Sequence, residues 1–180
     1  MDFKKISVRE ESAEKIVKEL CDVEVETYID PTLMFDSQKW ESLAQKPVEY
    51  SEEYIRNSIV IYFLGDIEHS DIEKMQAIAE KNNLHIITLD RNDIGECIIP
   101  SLEEWLYCIG NARLVITDSF HGSVFSFLFD RNLLIYKRKD GDASMFSRLE
   151  NLMKKFKLND RLAENCSGQR IMNHDYSMGY

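Results

Sequence analysis

The sequence predicts an α/β fold: a Rossmann-like parallel sheet with helices on both faces. Three observations carry this. Strand-like and helix-like segments alternate from end to end. Ser58 to Leu64 and Leu114 to Thr117 read as core strands, bounded by polar turns. The stretch Leu114-Val115-Ile116-Thr117-Asp118-Ser119-Phe120-His121-Gly122-Ser123-Val124-Phe125-Ser126 reads as a buried strand, a tight turn over Asp118 to Gly122, and a helix apolar on nearly every face. That is half of a parallel β-α unit.

The elements follow in order. Phe3 to Val8 reads as a strand, with Arg9-Glu10 at its carboxyl end. Ala13, Ile16, Val17 and Leu20 mark one face of a helix. A short strand over Val23 to Tyr28 ends at Ile29-Asp30-Pro31-Thr32, where proline breaks it. Ser37 caps a short helix with Trp40 and Leu43, and Gln45 to Arg56 is a polar connection with room for one helical turn. After Ser58 to Leu64, Ser70 with Glu73 forms a capping-box pattern before Ile72, Met75, Ile78 and Ala79; Asn82-Asn83 stops that helix. Leu84 to Leu89 is a strand, Asp90 to Glu96 a polar loop. Ser101 with Glu104 makes a second capping box before Leu102, Trp105, Leu106 and Ile109. Beyond the central turn come a strand over Asn132 to Tyr136, a charged loop over Lys137 to Ser144, and an amphipathic helix from Met145 to Phe156. The tail from Glu164 onward has weak patterning and is expected to fray or end on the surface. A single domain over residues 1–180 is expected, its core about 3–162 and its tail 163–180.

Composition limits the function. A chain of 180 residues fits one domain with a good core. A net charge of -10 argues against a general nucleic-acid or anionic-membrane binder, although a local pocket can oppose the global sign. No segment is long enough to span a bilayer, and the amino-terminal residues lack a secretory pattern; a cytoplasmic protein is expected. Cys21, Cys97, Cys108 and Cys166 have no zinc or redox spacing, so free thiols in a reducing compartment are the default. No metal site and no cofactor are expected: glycine-rich phosphate loops, Walker sequences, nucleophile elbows and metal-binding histidine spacings are missing from the sequence.

The candidate chemistry lies at the central turn. Ligands in open α/β sheets collect beyond the carboxyl ends of the strands, and helix-start amides can receive an anion. His121 would sit there beside Ser119 and Ser123, with Gly122 allowing a ligand or another backbone to come close. The plainer reading is that Ser119 caps the helix and His121 is a satisfied histidine at its start. Arg9, just past a strand, can grip a carboxylate or phosphate with two parallel hydrogen bonds, or form a surface ion pair with Glu10 or Glu11. Arg148 and Arg138 are weaker candidates; Arg148 lies three positions from Met145 on an amphipathic helix and can simply be solvated. Asp140-Gly141-Asp142 has the spacing of a cation-binding pair in a nucleotide-sugar site, and also of an ordinary solvated loop.

Several segments together resemble the polysaccharide pyruvyl transferase family. They are Ile6-Ser7-Val8-Arg9-Glu10-Glu11-Ser12, Asp30-Pro31-Thr32-Leu33, Tyr62-Phe63-Leu64-Gly65, Thr117 to Ser126, and Ser144-Met145-Phe146-Ser147-Arg148-Leu149. Their order and approximate spacing agree across roughly residues 3 to 162. The resemblance implies one half of a GT-B-like architecture, the carboxyl-terminal half, with the amino-terminal half-domain as the missing partner and an incomplete site in this chain. It implies transfer of pyruvate from phosphoenolpyruvate to hydroxyls of a glycan or lipid-linked sugar, leaving a ketal on a bacterial cell-surface polysaccharide. His121 matches the family histidine implicated in donor binding and acid catalysis; Arg9 matches an arginine suited to gripping phosphoenolpyruvate. Some members carry arginine where this chain has Ser119, which removes one carboxylate anchor. Two other functions stay open: a GT-B-like glycosyltransferase domain binding a nucleotide sugar through Asp140 and Asp142, and a non-catalytic interaction module.

Overall fold

The computed structural model describes residues 4–21, 23–138 and 143–173. The chain forms two compact units, Met1–Asp36 and Ser37–Tyr180. The division follows the strand pairing: the strands of the first unit pair with each other in a sheet of their own.

The first unit is a β-α-β arrangement. Strand β1 (Lys5–Val8) leads through helix α1 (Glu11–Leu20) to strand β2 (Glu24–Thr27), and a 3-10 helix, Pro31–Met34, follows. The strands are parallel, with Lys5 opposite Glu24 and Val8 opposite Thr27. Ala13 and Val17 of α1 are half-buried, whereas Ile16 and Leu20 are exposed. Pro31 opens the 3-10 helix, because its fixed φ suits a first helical position and its missing N–H is not needed there.

The second unit carries α2 (Ser37–Glu41), α3 (Glu52–Arg56), β3 (Ser58–Tyr62), α4 (His69–Asn82), β4 (His85–Leu89), β5 (Glu96–Ile98), α5 (Leu102–Asn111), β6 (Leu114–Thr117), α6 (Phe120–Leu128), β7 (Leu133–Ile135) and α7 (Ala143–Lys155). Its strands form a five-stranded parallel sheet in the order β5-β4-β3-β6-β7. The Rossmann-like expectation holds. Counted from β3, this is the 3-2-1-4-5 order of a doubly wound sheet, and the chain reverses direction across the sheet between β3 and β6.

Successive residues of a strand face opposite sides. Ile59 and Ile61 of β3, Leu114 and Ile116 of β6 and Leu134 of β7 join Met75 and Ala79 of α4 in one core. On the other side Tyr62 meets Trp105 of α5 edge to face, with centroids 5.4 Å apart, and Trp105 meets Phe125 of α6 at 5.3 Å. Trp40 of α2 closes on the same Phe125 at 5.0 Å. With both faces covered, Ile59, Val60 and Ile61 are all fully buried, which is why β3 reads as an unbroken apolar run.

Three expectations change. The loop expected over Asp90 to Glu96 ends in β5, a three-residue edge strand too short to show a period. The helix after β3 starts earlier than its capping-box pattern: Glu68 is the N-cap, so Ser70 lies inside α4. The tail, expected to fray or end on the surface, instead returns to the core as far as the described residues reach. Ile135 bridges Leu162, the Ala163 amide donates to the Ile135 carbonyl at 2.8 Å, and Cys166 and Ile171 are buried beside β6 and β7 residues. Asn83, by contrast, stops α4 as expected, in the left-handed conformation at φ 52°. The Asp140-Gly141-Asp142 segment lies outside the described residues.

The second capping box forms as read. Ser101 Oγ accepts from the Glu104 amide at 3.2 Å, and the Ser101 amide donates to Glu104 Oε2 at 2.9 Å. Ser101→Ala is expected to lower stability by about 1 kcal/mol, measured by urea unfolding, with Glu104→Gln losing less because it keeps an acceptor.

Candidate functional site

The crevice of a doubly wound sheet opens beyond the carboxyl ends of the strands where the order reverses. Here that point lies between the ends of β3 and β6, where Tyr62 pairs with Thr117. Asp118 follows β6 directly and is almost wholly buried. Its Oδ1 accepts from the Leu64 amide at 2.8 Å, and its Oδ2 from the Gly65 amide at 3.0 Å. Arg138, just beyond β7, donates from Nε to the same Oδ2 at 3.1 Å. A carboxylate at 1% exposure needs this compensation, because an unpaired buried charge is expensive. Arg91, after β4, donates to the Gly65 carbonyl at 3.5 Å and is held by Asp93. Burial, then the charges of Asp118 and Asp90, raise the Tyr62 phenol above its ordinary value.

The turn into α6 is built from internal bonds. Thr117 Oγ1 donates to the Tyr62 carbonyl at 2.5 Å and accepts from the Ser119 amide at 3.0 Å. Ser119 is the N-cap and accepts from the Gly122 amide at 3.3 Å. The Ser123 hydroxyl donates to the Ser119 carbonyl at 3.0 Å, and the Ser126 hydroxyl to the Gly122 carbonyl at 2.7 Å. A Cβ on Gly122 would stand 2.5 Å from Thr117 Oγ1. The close approach at Gly122 is therefore made by the chain's own Thr117. From Ser119 to Ser123, only His121 is exposed; Phe120 is half-buried, and its ring meets the imidazole edge to face at 5.3 Å. The turn thus buries its hydroxyls and presents an imidazole in the first turn of α6.

The other candidates are distributed. Arg9 belongs to the first unit and pairs through Nη1 with Asp30, a partner from beyond β2, in place of the neighbouring glutamates. Asp30 also accepts from the Thr32 amide at 3.0 Å and the Thr32 hydroxyl at 2.7 Å. Burial pushes the Asp30 carboxyl up, but the Thr32 bonds and then Arg9 outweigh it and hold it below the ordinary value. Arg148 is half-buried on α7. The sequence reading missed Asp118 and Arg91 and ranked Arg138 low. The signal for Asp118 was an acid directly after a buried strand; its partners, Leu64 and Gly65, lie more than fifty residues earlier.

A family model described as polysaccharide pyruvyl transferase matches residues 1–136. The match spans both units as far as Tyr136, and Arg138 and Arg148 lie beyond it. No curated protein and no solved structure matches the chain.

Two outcomes follow from this geometry. Gly122→Ala is expected to destabilise by about 1–3 kcal/mol, read by thermal or urea unfolding, because the new methyl meets Thr117 at the base of the turn. Asp30 has a depressed value in the folded chain. Its pairing therefore contributes stability fully above the ordinary aspartate range, which is lost as pH falls through the folded value. The stability gap between wild type and Asp30→Asn should shrink on acidification from about pH 6 to about pH 3; a gap independent of pH would contradict the pairing.

Proposed function

Because the chain belongs to the polysaccharide pyruvyl transferase family, we propose that its second unit binds phosphoenolpyruvate at the β3–β6 crevice and that His121 handles the proton of the transfer. The observation that carries this is the single exposed imidazole on a turn whose neighbouring hydroxyls are all engaged. The helix-start amides of α6 favour an anion beside it. In this reading Ser119, Gly122 and Ser123 shape the donor pocket through the backbone they hold in place. Arg148, on α7 of the same unit, is the further donor-binding guanidinium.

A sugar hydroxyl oxygen bonds to the enol carbon of phosphoenolpyruvate while the methylene takes a proton from imidazolium His121 and becomes a methyl. The hydroxyl proton restores the imidazolium. A second hydroxyl of the same sugar then attacks that carbon, the carbon–oxygen bond to phosphate breaks, and phosphate leaves with the second hydroxyl proton. The product is a pyruvate ketal on the glycan acceptor. General acid catalysis of this kind contributes about 10²–10⁴-fold, and holding donor and acceptor together supplies much of the remainder.

Calorimetric titration with phosphoenolpyruvate tests the donor assignment. Saturable binding is expected, weakened about tenfold or more in His121→Ala or Arg148→Ala. Binding indifferent to His121→Ala would remove that residue from the site. Silence toward phosphoenolpyruvate together with metal-dependent binding of a nucleotide sugar would move the function to glycosyl transfer.

A further inference from the structure

Dinucleotide-binding sheets of this strand order receive a pyrophosphate on the amides that follow the first strand. In this chain the first strand of the large sheet is β3, and the amides that follow it are those of Leu64 and Gly65. They are already taken. Both donate to one carboxylate, that of Asp118, which reaches them across the reversal point from the end of β6. A guanidinium, Arg138, completes the ring around the same carboxylate. Two amides and a guanidinium converging on one buried carboxylate are the parts of an anion receptor.

We propose that the Leu64 and Gly65 amides with Arg138 form a carboxylate receptor that the chain fills with its own Asp118, making Asp118 the specificity-determining residue of the crevice. Three features carry this. The carboxylate is 1% exposed, while Leu64, whose amide it holds, has an exposed side chain; the amide is engaged by Asp118 and not by strand pairing. The carboxylate accepts from both amides within 3.0 Å, as a bound anion would. Arg91 holds the carbonyl of the same Gly65, so the loop after β3 is gripped on both sides of one residue.

The consequence is selective. A nucleoside diphosphate would need those amides and would meet a fixed negative charge in their place. A compact donor carrying one phosphate and one carboxylate can use the α6 end of the crevice, which Asp118 leaves to it. This selectivity rests on the reading of the crevice as the donor site; the existence of the receptor does not.

The first test uses formate as a stand-in for the lost carboxylate. Asp118→Ala is expected to melt lower than wild type. Sodium formate should restore much of the loss saturably, beyond a sodium chloride control of equal ionic strength, and should leave wild type at its control value. The double variant Asp118→Ala with Arg138→Ala should lose most of the formate effect. Equal effects of formate and chloride on Asp118→Ala would overturn the receptor. Should that variant not fold, the unaltered chain answers by amide exchange: Leu64 and Gly65 protons are expected to exchange at least about 100-fold more slowly than unstructured amides, and Asp118→Asn to expose one of them. Unprotected exchange in wild type would overturn the receptor equally. The selectivity is read with uridine diphosphate, which Asp118→Asn should bind about tenfold or more tightly than wild type; equal behaviour of the two chains overturns it. Phosphoenolpyruvate enters none of these arms, so their failure is separate from failure of the donor assignment.

Discussion

One buried carboxylate ties the carboxyl ends of three strands together. Asp118 leaves β6, takes two amides of the loop after β3, and accepts Arg138 from beyond β7. Parallel strands pair along their lengths, but nothing in the ladder decides where their ends point. Where the strand order reverses, the helices that follow β3 and β6 diverge and the strand ends have no common cover. An ion pair with backbone donors serves as that cover. Its strength comes from burial: in low dielectric a charge-assisted hydrogen bond is stronger, and a missing one costs more.

The turn next to it works by the same economy of polar groups. Thr117, Ser119, Ser123 and Ser126 direct their hydroxyls to nearby backbone, so these hydroxyls can be buried at the start of α6 with partners of their own. Gly122 lets that backbone sit against Thr117. A rigid, internally satisfied turn is a good platform for one outward imidazole, because the side chain's origin is fixed by the packing beneath it. The first unit repeats the device on its own scale. Asp30, after β2, gathers Thr32 and Arg9, again at the carboxyl end of a parallel strand.

Much of this was legible. The alternation of elements, the capping box at Ser101, the stop at Asn83 and the strand-turn-helix around His121 all depend on neighbours within a few residues, and sequence records such neighbours directly. What escaped reading depends on distant partners. The β5 strand has three residues and is a strand only because β4 lies beside it. The tail showed no period because Cys166 and Ile171 are buried by their place against the sheet, not by a regular face of their own. Arg9 is followed directly by two plausible glutamates in sequence, yet its partner is twenty-one residues away.

By itself, then, the chain's sequence determined the doubly wound class, the family, and the histidine at the turn, since each is written in local period or local motif. Tertiary structure decided how the polar groups of the rim are spent. Asp118 could have been a ligand, a cap or a solvated acid; the approach of the β3 loop made it a buried clamp. Gly122 could have admitted a substrate; the side chain of Thr117 occupies that space. The physical reason is the same in both cases. A polar or small residue announces that something must come close, and only the folded chain determines what does.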